Sequence, residues 1–348
     1  ELIQEAYAHH IQNAHALTIV QAQPDENINT STNESTDDNN NNTSSHMSAE
    51  QAAGICIIDT SLITAALNNF AHTHRDSWLA TLIETATYTN QSVLLLAACK
   101  ENMMRVTTPP ALIWTTYLQQ EKLIDYWIDH GVVFSDPDSV HIDAGVTIGQ
   151  NTIIESGVHI TGATTIGQHC HLHPYSILNN TTLQDNVIIF SHSVLDQATV
   201  GAYTQVGPFA HLHNTASIAD HSAIGNYVEI QLSSVGSYTK ARHLTYLGHA
   251  HIGNKVNIGV GTITCNYDGR NKNPTVIEDN TFIGSNNTLV APITIKQGSF
   301  TAAGSVITDP VPENTFAIGR ARQVNKIDYA QQLRAKVQQK NQQKQESR

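Results

Sequence analysis

Between His243 and Lys272 the chain reads HLTYLGHAHIGNKVNIGVGTITCNYDGRNK. Histidine suits proton removal near neutral pH, because its ordinary pKa lies close by. Basic residues begin at the doorstep of this stretch. Lys240 and Arg242 are the first Lys or Arg after Lys122. Of the 18 Lys and Arg, all but Arg75, Lys100, Arg105 and Lys122 lie at or after Lys240, so a polyanionic ligand finds most of its possible partners in the last third. The stretch also holds a polar loop, Thr262 to Pro274, with turn residues Asn266, Asp268 and Gly269. A histidine, a tyrosine and a polar loop on a monotonous scaffold have the pattern of a site set on a rigid frame.

The frame is a six-residue repeat. Ile142, Ile148, Ile154, Ile160, Ile166, Leu172 and Leu178 follow one another at intervals of six. After a slip of one residue come Leu183, Ile189 and Leu195; after a second come Val200, Val206, Leu212, Ile218, Ile224 and Ile230. The repeat continues through Leu247, Ile252 and Ile258 and resumes beyond the loop with Ile277, Ile283, Leu289, Ile295 and Val306. A period of six is neither helical nor heptad. It predicts a parallel β-helix of hexapeptide repeats, one flat strand per repeat and three per coil, with each aliphatic buried against the next coil. Such a solenoid needs few charges, which fits a charged fraction of 14% against an average near ~25%. Pro310 and Pro312 are expected to end the pairing.

The elements before the repeat differ. Residues 1–23 read as a helix and a short strand (ALTIVQA). Residues 24–48 are low-complexity Asn, Ser, Thr and Asp, expected to be disordered because they bury too little apolar surface. Residues 49–131 alternate strands (GICIIDT, SVLLLAAC) with helices (SLITAALNNF, DSWLATLIETATYT) and end in a long helix, PALIWTTYLQQEKLIDYWIDHG. The β-helix is expected over 132–312, and a tail with a polar helix over 313–348. The first residue is Glu1 rather than Met, as expected of a fragment.

A net charge of −12 argues against a broad nucleic-acid surface. No run approaches the ~18 apolar residues of a membrane span, so no membrane insertion is expected. Four scattered cysteines without a CxxC pair argue against a zinc or disulfide framework and fit a cytoplasmic protein.

Residues 200–326 resemble the acetyltransferase half of the bacterial bifunctional N-acetylglucosamine-1-phosphate uridyltransferases/glucosamine-1-phosphate acetyltransferases. The stretches that carry the resemblance are VGPFAHL, IGNYVEI, KARHLTYLGHAHIGNKVNIGVGTITCNYDGRNK, FIGSNNTLVAP, TAAGSVIT and AIGRARQ. Residues 132–199 resemble its earlier coils more loosely, and 50–131 look like a worn remnant of the end of its uridyltransferase half. The resemblance implies a left-handed β-helix, a homotrimer, and acetyl-CoA-dependent N-acetylation of glucosamine-1-phosphate, on the route to UDP-N-acetylglucosamine for peptidoglycan and lipopolysaccharide. By the same resemblance His243 is the general base. Tyr246, Asn257 and Lys272 match residues that hold the sugar phosphate. Val260, Asn266, Tyr267, Ser285, Ala303 and Arg320 match acetyl-CoA contacts, with Val260 where alanine is usual.

Two positions depart from the family. His213 stands where it has a phosphate-binding arginine, and Gln231 where it has a lysine. Each lost charge-assisted bond is worth ~1.5–3 kcal/mol. In the remnant, Val106-Thr107-Thr108-Pro109 sits where the family has its metal-ligating asparagine, and its Gly-rich nucleotide loop is absent. Mg²⁺ belongs to that half and is not expected to bind here, so uridylyl transfer is expected to be lost. The histidines at 169, 171, 173, 249 and 251 read as outward coil residues, and no metal site is expected among them. Two other readings stay open: a non-catalytic trimeric β-helix that at most binds CoA, and an acetyltransferase for another amine.

Overall fold

The computed structural model describes residues 106–346, the strands Leu17–Ala22, Ile55–Ile58 and Val93–Ala98, and residues 85–86. The chain divides into two compact units, Glu1–Glu121 and Lys122–Arg348. In the first, Leu17–Ala22 pairs antiparallel with Ile55–Ile58 and parallel with Val93–Ala98. These are the apolar runs that read as strands. The helices expected before residue 16 and over SLITAALNNF, and the low-complexity stretch 24–48, lie outside the described residues. Of DSWLATLIETATYT, Thr85 and Ala86 are described and helical.

A 21-residue helix, Pro109–Asp129, leads into the second unit. Thr108 Oγ1 accepts a hydrogen bond from the Ala111 amide at 3.3 Å, capping a helix whose first residues are prolines. At its other end Ile124 and Trp127 are buried in the same apolar cluster as the first coil residues.

From Val133 to Ala317 the second unit is a parallel β-helix. Three inward ladders run through it. One climbs Ile142, Ile160, Leu178, Leu195, Leu212, Ile230 and Leu247. The second runs from Ile154 through Leu172, Ile189, Val206, Ile224, Ala241, Ile258 and Ile283. The third runs from Ile148 through Ile166, Leu183, Val200, Ile218, Val235, Ile252, Ile277 and Ile295. Nearly all these side chains are buried, so every coil hides apolar surface that it could not hide alone.

The one-residue slips share a place. They follow Leu178, Leu195, Ile230 and Leu247, all on the first ladder, where the chain turns to the third. The loop after Thr264 leaves from the same corner, since Thr264 stands above Leu247 and pairs with Leu289. Thr264 is 1% exposed in this apolar column, and its Oγ1 accepts from the Gly248 amide at 2.8 Å.

Two expectations are corrected at the end of the repeat. Val306 faces outward, 52% exposed, and Ile307 fills the ladder above Leu289. The prolines do not end the pairing. Val311, between them, donates its amide to Thr294 and accepts from Lys296, both at 3.0 Å. One residue thus supplies the donor that two prolines lack, and Phe316–Ala317 still pairs with Phe300–Thr301. A polar helix, Tyr329–Glu346, follows.

Candidate functional site

Most strands here are two or three residues long. Ala223–Gln231 and Lys240–Gly248 are the exceptions, nine residues each, and they pair along the corner between the second and first ladders. Gly225 permits this, since a Cβ there would run into the backbone carbonyl of Arg242. The pairing sets Asn226 beside His243 and Glu229 beside Tyr246.

His243 lies at a cleft of about 360 Å³ lined also by Phe190, Gln205, Pro208, Asn226 and Arg242. Its Nδ1 is 2.7 Å from Asn226 Oδ1. An amide oxygen only accepts, so Nδ1 is the donor in this contact, and in the neutral ring Nε2 is then the nitrogen with the lone pair. Above His243 the corner continues coil by coil. The Gly261 amide donates to Leu244 O at 3.0 Å, the Asn286 amide to Val260 O at 2.7 Å and the Gly304 amide to Ser285 O at 2.8 Å. Arg320 lies over Gly304, its Cδ 3.7 Å from where a Cβ would stand. His243, Val260, Ser285, Ala303 and Arg320 therefore form one exposed stripe.

A second group lies on the face beyond the corner. His213 pairs in register with Gln231, and Tyr246 donates its hydroxyl to Gln231 Oε1 at 3.2 Å. His213 Nε2 is 3.1 Å from Glu229 Oε1. Its ring stacks on His211 at 4.1 Å. Desolvation, then the neighbouring His213, holds His211 below the ordinary histidine range.

The third group is the loop. Tyr267 bridges to Lys272, the Tyr267 hydroxyl donates to Gly269 O at 2.7 Å, and the Asn273 amide donates to Asn266 O at 2.6 Å. Asp268 accepts from the amides of Asn271 and Arg270 and from Asn273 Nδ2. These bonds, Asn271 first, hold its carboxyl down to about 2. Asn266 is buried, while Tyr267 and Lys272 are exposed. Asn257 stands on the adjoining face, in register with Lys240 and Phe282. Among the described residues, no side chain other than Asn226 hydrogen-bonds the His243 ring.

Sequence reasoning did not single out Asn226 or Glu229 as site residues. Their signal was the coil length: Asn226 precedes His243, and Glu229 precedes Tyr246, by one 17-residue coil. Among the described residues Lys240, Arg242, Lys255, Arg270, Lys272 and Arg320 form no ion pair with a carboxylate. Their charge is available to an anionic ligand.

Where the resemblance places an asparagine carbonyl, Thr107 carries a shorter hydroxyl, and Thr108 Oγ1 is engaged in capping the helix, so neither side chain reproduces that metal ligand.

Residues 274–309 match the hexapeptide repeat of succinyl-transferase. Over 258 residues, 74% of this chain, the sequence is 40% identical to the bifunctional protein GlmU of Thermodesulfovibrio yellowstonii. The chain is a homologue of the GlmU proteins. GlmU of Koribacter versatilis is 46% identical over 210 residues, 60% of this chain. The chain spans 57% and 45% of the length of these two GlmU proteins. Among solved structures it is similar to an Arabidopsis UDP-N-acetylglucosamine acyltransferase, at 16% identity, with 57% of this chain and 75% of that one covered and a TM-score of 0.40. Among the described residues no helix is long and apolar enough to cross a membrane.

Proposed function

We propose that this chain transfers the acetyl group of acetyl-CoA to the amine of glucosamine-1-phosphate, with His243 as general base. The observation that carries this reading is the Asn226–His243 contact at the rim of the cleft. It leaves Nε2 free to take the ammonium proton of the acceptor, which makes the amine a nucleophile toward the thioester. Tyr246, Asn257 and Lys272 hold the sugar phosphate. Val260, Ser285, Ala303 and Arg320 line the path of acetyl-CoA, with Asn266 and Tyr267 reaching it from the loop. Arg320 and Arg242, free of carboxylate partners, suit its phosphates. The active unit is a homotrimer. The exposed corner beside His243, where Tyr175, Phe209, Tyr227 and Leu244 follow one another, is the apolar surface such an assembly would cover. A thiol-release assay with acetyl-CoA and glucosamine-1-phosphate tests the reading. No thiol release with that acceptor, from protein shown to be folded, would sink it.

One observation favours a second reading, an acceptor amine without a phosphate. Glu229 pairs with His213 where the family's arginine would meet the phosphate, and a carboxylate there repels a dianion. The same assay with glucosamine separates the two: faster turnover of the unphosphorylated sugar selects the second.

A further inference from the structure

Away from the His243 corner, His171 and His173 flank the buried Leu172, one in the strand His171–Leu172 and one just past its end, so both rings project outward. Glu155 lies one coil below. Its Oε1 is 2.5 Å from His171 Nε2 and 3.2 Å from His173 Nδ1. The two rings stack at 4.1 Å, and the three donor atoms lie within 4.8 Å of one another. We propose that Glu155, His171 and His173 bind a divalent transition-metal cation of the zinc type.

The donor set selects that class. Two imidazole nitrogens and one carboxylate oxygen suit Zn²⁺, Co²⁺ or Ni²⁺, whereas Mg²⁺ and Ca²⁺ take oxygen alone. A tetrahedral zinc with bonds of about 2.0 Å sets its ligand atoms about 3.3 Å apart. The His173–Glu155 pair is already near that spacing, and rotation of the carboxylate opens the other. Charge points the same way. Between Lys122 and Lys240 the chain has no Lys or Arg, so among the described residues Glu155 has imidazoles as partners and no fixed cation. The backbone is held from both sides: the His171 amide donates to Val187 O at 2.9 Å, the His173 amide to Ile189 O at 2.8 Å and the Glu155 amide to Leu172 O at 2.9 Å. With the backbone fixed, closing on an ion falls to side-chain rotations: the stacked imidazoles must tilt until both lone pairs meet at one point. The side chains are 25–33% exposed, which leaves the remaining coordination position open to water. The likeness of His211, His213 and Glu229 to this group is close. That second cluster adjoins Tyr246 and Gln231, and the proposal does not extend to it.

The test is titration calorimetry with Zn²⁺ on the full chain after chelation and dialysis, repeated with Co²⁺ to record visible d–d absorption. The wild type is expected to bind Zn²⁺ and to give tetrahedral Co²⁺ bands. In His171→Ala/His173→Ala this site is lost, while His211→Ala/His213→Ala keeps it. Glu155→Gln preserves shape and serves if the double variant misfolds. Its Zn²⁺ affinity should fall by at least about tenfold, the loss typical of even an outer-shell partner. The proposal is overturned if the wild type binds no Zn²⁺, if the double variant binds as many ions as tightly, or if Glu155→Gln leaves affinity unchanged.

Discussion

Asn226 and His243 face each other from neighbouring coils, Oδ1 of one 2.7 Å from Nδ1 of the other, and that contact decides which ring nitrogen is free. His243→Ala should lower kcat by ~10²–10⁴-fold, the usual contribution of a general base, with little effect on acetyl-CoA binding. Arg320→Ala should do the reverse. Asn226→Ala should lower kcat less than His243→Ala does, because it frees the ring without removing it. Asn226→Asp places a carboxylate against the imidazole, which favours its protonated form and should move the acid limb of the kcat–pH profile upward. Steady-state kinetics across pH measure all four. Full turnover in His243→Ala refutes the base assignment, and an unmoved profile in Asn226→Asp refutes the positioning role.

His213 and Gln231 lie side by side in register, one held by Glu229 and the other by the Tyr246 hydroxyl. His213→Arg with Gln231→Lys supplies two permanent charges. The KM for glucosamine-1-phosphate should fall by about tenfold or more, from charge-assisted bonds of ~1.5–3 kcal/mol each. If only the KM for an unphosphorylated acceptor responds, the phosphate is not read at this face.

Asp268 organises the loop through the amides of Asn271 and Arg270. Its folded-state pKa is depressed from 3.8 to about 2. A depressed carboxylate contributes stability that is present above the unfolded value and lost as pH falls through the folded one. Protection of the Arg270 and Asn271 amides should therefore hold from neutral pH down to about 4 and fail toward 2. Asp268→Ala should remove it at neutral pH already and raise the KM for acetyl-CoA. Hydrogen exchange reads the first effect and kinetics the second. Unchanged exchange in Asp268→Ala would show that the loop holds itself by other means.

Gly225→Ala puts a methyl group where the Arg242 carbonyl stands. Overpacking of this kind costs about 1–3 kcal/mol. The strand Lys240–Gly248 must shift, and His243 with it, so the melting temperature and kcat should fall together. A control such as Gly269→Ala meets no atom within 4 Å and bears on a loop with positive φ instead; it should spare the melting temperature of the β-helix. An active, fully stable Gly225→Ala would contradict the close approach.

Thr107 does not extend as far as the asparagine it replaces, and Thr108 Oγ1 is taken up in capping a helix. Purified protein should release no pyrophosphate from UTP and N-acetylglucosamine-1-phosphate with Mg²⁺. Sustained Mg²⁺-dependent release would refute this.

The β-helix was legible because its driving force is periodic: every sixth aliphatic marks an inward position, and Ile142 to Leu178 give the period without a break. Val306 was misread because Thr301 interrupts the aliphatic run, and Ile307 beside it is equally apolar. The corners were not legible. Tyr175, Phe209 and Tyr227 have φ of 60°, 55° and 54°, a region that favours glycine. Stacking helps to offset that cost: Tyr175, His192, Phe209 and Tyr227 follow ring on ring at 5.0–5.3 Å. Such a ladder joins residues a coil apart, and neither local propensity nor the six-residue period reports it. Asn226 escaped notice for the same reason. The resemblance pointed to His243, whereas its partner sits a full coil away along the chain.

The corner at which the one-residue slips and the loop after Thr264 both occur is the only turn of each coil whose length varies from Ile142 to Ile307. The other two turns keep six residues between ladders throughout. Insertions and deletions in relatives of this chain should therefore gather at that vertex. A foreign peptide grafted after Leu195 or Ile230 should leave every ladder aligned, whereas the same graft at either other vertex would push the following strand out of step.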